Sequence, residues 1–126
     1  MRETLSEIDM SESVYGERIE ALVEGLDAML DHMNDSYREW MKTDDPIKKR
    51  MCSEYHASLT YYMGKKYVKV ISGNSVCAFV VACDGDKKFM FGDILKPAGW
   101  KAPARNFRRG NVLDRTFDRV RWTGAL

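Results

Sequence analysis

The spacing of apolar side chains near the start of the chain constrains the fold most. Between Glu12 and Thr43, Ile19, Leu22, Val23, Leu26, Met29, Leu30, Met33, Tyr37, Trp40 and Met41 recur at steps of three and four, the period of one face of an α-helix. A helix of about 30 residues is about 45 Å long, whereas a globule of this size has a radius of gyration of about 14 Å. Such a helix must bend, at Gly16 or Gly25, or protrude. A protruding stripe needs a second subunit to cover it, so a homodimer or higher oligomer is expected.

Asp44, Asp45 and Pro46 then stop and restart the helical pattern, with Asp45 placed as an N-cap and Pro46 at the first helical position. Ile47, Met51, Tyr55, Leu59 and Tyr62 share one face of a second helix, which is expected to end at Gly64. The two helices should form an antiparallel hairpin. From Lys66 the period shortens: YVKVI, SVCAFVVAC and FMFGDIL are rich in β-branched and aromatic residues and are divided by Gly73-Asn74 and Asp84-Gly85-Asp86. Helices followed by strands predict an α+β fold, an N-terminal helical hairpin packed on a small antiparallel β-sheet, with an irregular basic C-terminal segment. A short helical turn or a last strand is expected between Thr116 and Thr123. Residues 1–64 would be the helical, oligomerising part and residues 65–126 the sheet and basic segment of a single domain.

No apolar run reaches the roughly 20 residues needed to span a bilayer, and the charged start MRETLSEIDM is unlike a signal peptide. Cys52, Cys77 and Cys83 are odd in number and lack CxxC spacing, which predicts reduced thiols and a cytoplasmic protein. The net charge of +1 hides a strong asymmetry. Residues 1–45 hold 13 acids and 4 bases, residues 46–95 hold 4 acids and 8 bases, and residues 96–126 hold 2 acids and 8 bases. The acidic helix and the basic tail either attract each other between subunits or divide solubility from ligand binding, and the tail biases the partner toward anions.

Most of that charge lies in Lys96–Asn111, KPAGWKAPARNFRRGN, which Pro97, Gly99, Pro103 and Gly110 keep from being a continuous helix. Trp100 offers a stacking surface, Lys101, Arg105, Arg108 and Arg109 can neutralise phosphates, and Asn106 or Asn111 can read a ribose or base edge. The competing reading is a loop whose Trp100 and Phe107 plug the sheet while its arginines face water. Catalytic patterns are missing from the sequence: there is no phosphate loop, GxGxxG or GxSxG. Cys52 and His56, four apart on the second helix, make a packing pair more readily than a metal site, and Asp84, Asp86 and Asp93 have the spacing of turn residues. Neither catalysis nor a cofactor nor a metal is expected.

A strand ending in Gly92-Asp93, then Lys96, Ala98, Trp100, Lys101, Ala102, Pro103 and Ala104 in the pattern K-x-A-x-W-K-A-P-A, then Arg109-Gly110-Asn111, resembles a group of small phage proteins. Through it the chain resembles the phage Thoeris anti-defence sponge proteins of the first type. Members of that family sequester cyclic ADP-ribose-type signals made by bacterial TIR-domain proteins, and some hold cyclic oligonucleotides. The resemblance implies a non-enzymatic, oligomeric sponge with pockets near subunit interfaces. Trp100, Lys101, Arg109 and Asn111 are the pocket residues carried over by matching position, Arg105 and Arg108 are added on their chemistry, and Phe79, Phe89 and Phe91 are weaker aromatic candidates. The alternative from the same charges is a small nucleic-acid-binding phage regulator whose tail tracks a phosphate backbone.

Overall fold

The computed structural model describes residues 5–42 and 45–126, with side chains from Gly16 onward. Helix α1 (Leu5–Met41) is unbroken through both Gly16 and Gly25, and the Thr43 and Asp44 ends of the sequence reading fall outside the described residues. Most of its stripe is buried: Leu22, Leu26, Met29 and Met33 are wholly inaccessible, and Tyr37 and Met41 nearly so, whereas Trp40 keeps 63% of its surface. Full burial of such side chains is worth about 1.5–3 kcal/mol each. Gly25 is a place of close backbone approach rather than a bend. A Cβ there would lie 2.6 Å from the Val112 carbonyl oxygen.

Helix α2 (Pro46–Ser58) begins as expected, with the Asp45 carboxylate accepting from the Ile47 N–H at 2.9 Å. It ends six residues before Gly64. Leu59–Met63 instead form strand β1, the edge of a five-stranded sheet. The sequence LTYYM satisfies both periods, and pairing with the next strand decides between them: Leu59 faces Ser72 and Met63 faces Val68 across the ladder. The Ser58 hydroxyl marks the change of direction, lying 3.0 Å from the Ser72 hydroxyl. The helices do form a hairpin, joined by an Asn34–His56 hydrogen bond of 2.8 Å and by Tyr37 stacked on Tyr55 at 4.4 Å. Only α1 supplies buried residues to the sheet, because α2 has none.

The sheet runs β1-β2-β3-β4-β5 with every neighbour antiparallel, β2 being Tyr67–Ser72, β3 Ser75–Val81, β4 Asp93–Leu95 and β5 Gly110–Asn111. The fold is therefore α+β, with five strands in place of the three read from the sequence. FMFGDIL is a strand only in its last three residues. A bulge opposite Val70 and Ile71 leaves Cys77 unpaired, so Cys77 and Ala78 both face α1 while Val76 and Phe79 face the other way. The α1 face buries Val68, Val70, Ala78, Val80, Ile94 and Val112. The opposite face holds a smaller cluster of Phe79, Val81, Phe89 and Leu95. Near the C-terminus β6 (Val120–Arg121) and β7 (Gly124–Ala125) make a two-stranded ribbon that closes the main core with Val120 and Ala125. Among the described residues no helix is long and apolar enough to cross a membrane.

Candidate functional site

The segment from Lys96 to Ala104 is a closed loop. The Ala104 N–H donates to the Lys96 carbonyl at 2.7 Å, Pro97 and Pro103 form an isolated bridge, and Ala98 and Gly99 both donate to the Ala102 carbonyl. Pro103 is buried, which ties the neck to the body, whereas Trp100 and Lys101 at the tip are exposed. Trp100 retains 49% of its surface, so it does not plug the sheet. The Lys69 ammonium on β2 lies 4.5 Å from the centre of its ring. Among the described residues Lys69, Lys96 and Lys101 have no carboxylate partner.

The arginines of the same segment are largely engaged. Arg105 donates to the Tyr67 hydroxyl at 2.6 Å and to Asp86 at 2.9 Å, and its guanidinium lies 4.9 Å over the Phe89 ring. That bond, with further donors from the Lys88 and Phe89 N–H groups, holds the Asp86 carboxyl far below the usual carboxylate range. Arg108 donates to Asp93 at 3.2 Å. Asn111 is buried and fully used: its amide donates to the Phe91 carbonyl at 3.1 Å and to Asp93 at 2.8 Å, while its oxygen accepts from the Leu113 N–H. Asn111 is thus a strut of the fold, with its amide and its oxygen both engaged within the chain.

The Gly92-Asp93 and Arg109-Gly110-Asn111 matches have a structural cause. Asp93, buried with 2% of its side chain accessible, also accepts from the Met90 N–H at 2.8 Å and so gathers β4, β5 and the turn before β4. Gly92 has φ of +89° and a Cβ there would meet the Asn111 oxygen at 2.9 Å; at Gly110, φ is +150° and a Cβ would collide with the Thr116 carbonyl. These residues are the ones that let two short strands pair. What the fold does not account for in the K-x-A-x-W-K-A-P-A pattern is the exposed Trp100-Lys101 tip.

Arg109 is a separate case. It is 6% exposed, and its Nη1 donates to the Asn106 side chain at 2.7 Å and to the Phe107 carbonyl at 2.6 Å. The Phe107 ring, 45% exposed, covers its guanidinium at 3.9 Å, and the Arg119 guanidinium lies 5.4 Å from the same ring. Burial and the Arg119 charge pull the Arg109 pKa below its ordinary value. No carboxylate compensates it among the described residues.

The remaining aromatic candidates do not all join one pocket. Phe79 is 2% exposed in the cluster behind the sheet, with Phe89 beside it. Phe91 lies under the Arg18 guanidinium, 4.1 Å away, in a concavity of about 360 Å³ that Phe89 also lines, with Asp84, Cys83 and Met90. Two further concavities lie at the helices. One, of about 520 Å³, is lined by Arg38, Lys49, Cys52, Ser53 and His56. The other, of about 710 Å³, includes His32, Trp40 and Trp122. Among the described residues no three His, Cys, Asp or Glu side chains are grouped to hold a metal. Sequence reasoning missed Lys69, which precedes the basic segment on a strand, and Arg119, whose setting in DRVRW has no distinguishing signal. Phe107, weighed only as a plug, was detectable as the aromatic two residues before Arg109.

A family model described as a family of unknown function, DUF7717, matches residues 9–126, and the chain belongs to that family. No curated protein and no solved structure matches the chain.

Proposed function

We propose that this family member is a non-catalytic binder that sequesters a small cyclic nucleotide signal of the cyclic ADP-ribose type, acting as a homo-oligomer in the cytoplasm of an infected bacterium. The observation that carries the reading is the half-exposed Trp100 ring on a clamped loop, with Lys69 at 4.5 Å and Lys101 next in sequence, both lysines without carboxylate partners among the described residues. Stacking of a base on such a ring is worth about 1–3 kcal/mol, and the Lys69 ammonium against it, with the Lys101 charge on the same loop, suits a pyrophosphate. The closed neck lowers the ordering cost of binding. A tip open to solvent in one chain becomes a pocket when a second chain covers the ligand, which fits the interface pockets that the sequence resemblance implies.

The same open, cationic tip suits a single-stranded nucleic acid, the second reading. The experiment mixes the purified protein with the product of an activated TIR enzyme, removes unbound material, heat-denatures the complex and assays what is released. Intact signal supports sequestration, a converted product makes the protein an enzyme, and no retention at micromolar protein sinks the capture reading. Steep loss of oligonucleotide affinity with added salt, without signal retention, selects the nucleic-acid reading.

A further inference from the structure

Arg109 presents an unfinished guanidinium. Both hydrogen bonds that it donates leave from Nη1, so the opposite edge of the fork, Nε and Nη2, donates to nothing among the described residues. Nε is buried and unsatisfied, the one such side-chain atom among them. A buried donor without an acceptor costs about 1–3 kcal/mol, and more on a charged group. In native folds such an atom marks local strain, a functional role, or a water or ion that completes it. An anion is the partner that would also answer its charge, since no carboxylate pairs with the guanidinium among the described residues and a second guanidinium, Arg119, shares the Phe107 ring with it.

We infer that the Nε/Nη2 edge of Arg109, together with Arg119, is a seat for a phosphate group, covered by the Asn106–Phe107 turn. The geometry suits this chemistry because two parallel N–H donors on one edge match two oxygens of a phosphate. Phe107 is the movable cover: its ring is nearly half exposed, and its N–H is held locally by the Asn106 side chain at 2.9 Å. Opening that turn uncovers the fork and frees the Asn106 oxygen from Nη1. The seat lies outside the three concavities described above, whose linings include neither Arg109 nor Arg119.

The inference stands apart from the capture reading, because phosphate alone is the probe and Arg109 itself the reporter. In ¹⁵N-correlated spectra of the intact protein, the Arg109 Nε–H resonance should shift saturably with inorganic phosphate, and at lower concentration with pyrophosphate. Acetate at matched ionic strength should not move it. Arg119→Gln, a change on an exposed side chain, should weaken phosphate binding at least about tenfold, about 1.4 kcal/mol, and Arg109→Lys, which keeps the charge but loses the fork, should abolish the saturable response in calorimetry. An unmoved Nε–H at millimolar pyrophosphate overturns the seat. So does unaltered affinity in Arg119→Gln, and an equal response to acetate overturns the assignment to phosphate.

Discussion

The Asn111 amide donates to the Asp93 carboxylate at 2.8 Å, and both residues are closed to solvent. With Phe91, Met90, Arg108 and Leu113 as the remaining partners, the pair fixes where β4 and β5 meet. Asn111→Ala leaves the Leu113 N–H without its acceptor and Asp93 short of one donor. The expected cost is about 1–3 kcal/mol in urea unfolding, and a double-mutant cycle with Asp93→Ala should return a coupling of about 0.5–3 kcal/mol. Additive single losses would mean that the two side chains act separately.

Gly25→Ala tests the close approach of α1 to the backbone just past β5. Intrinsic helix propensity favours alanine by about 1 kcal/mol, but the new methyl would press on the Val112 backbone. Overpacking of this kind costs about 1–3 kcal/mol, so the melting temperature should fall. A rise would show that the helix can move away from the sheet.

The Arg105–Asp86 pair adds stability that depends on pH. The folded carboxyl is held below its unfolded value, chiefly by Arg105, so the stabilisation is fully present above the ordinary carboxylate pKa of about 4 and disappears as pH falls toward the folded value. Arg105→Gln should be less stable than the wild type at neutral pH, and the gap between their unfolding midpoints should narrow below about pH 4. A constant gap across that window would assign the effect to packing on Phe89 alone.

Trp100→Ala should change stability by no more than about 0.5 kcal/mol, as for an ordinary surface site. In the signal-retention assay it should lose about tenfold or more in affinity. Collapse of the fold in this variant would contradict the exposed position of the ring.

Thiol labelling should rank the cysteines. Cys77 is buried in the bulge and burial pushes its thiol pKa up, whereas Cys52 and Cys83 are partly exposed. Alkylation at neutral pH should modify Cys52 and Cys83 well before Cys77, as peptide mass mapping would report. Early labelling of Cys77 would mean that the β2–β3 bulge opens readily.

Helix α1 and the two long central strands were legible because their periods extend over enough residues to exclude the alternative. Leu59–Met63 was not: Leu59 and Tyr62 continue the helical face of Ile47, Met51 and Tyr55, while Leu59 and Tyr61 are the inward positions of a strand. Only the partner strand resolves that ambiguity. The two-residue β5 has no local signal, since it exists through its pairing with Asp93 and Ile94. The basic segment was found, but its polar residues were misassigned in emphasis. Composition does not distinguish an arginine with a free guanidinium from one tied to Asp86 or Asp93: Trp100, which the competing reading would plug into the sheet, is exposed, and Arg105, Arg108 and Asn111 are held by the fold.

The neck of the Lys96–Ala104 loop has one consequence for how such a chain can diversify. Its closure uses backbone groups of Lys96 and Ala104 and a buried proline, none of which depends on the side chains at the tip. Positions 99–101 therefore behave as an exchangeable cassette: recognition can be rewritten there by substitution while the scaffold below keeps the same joinery.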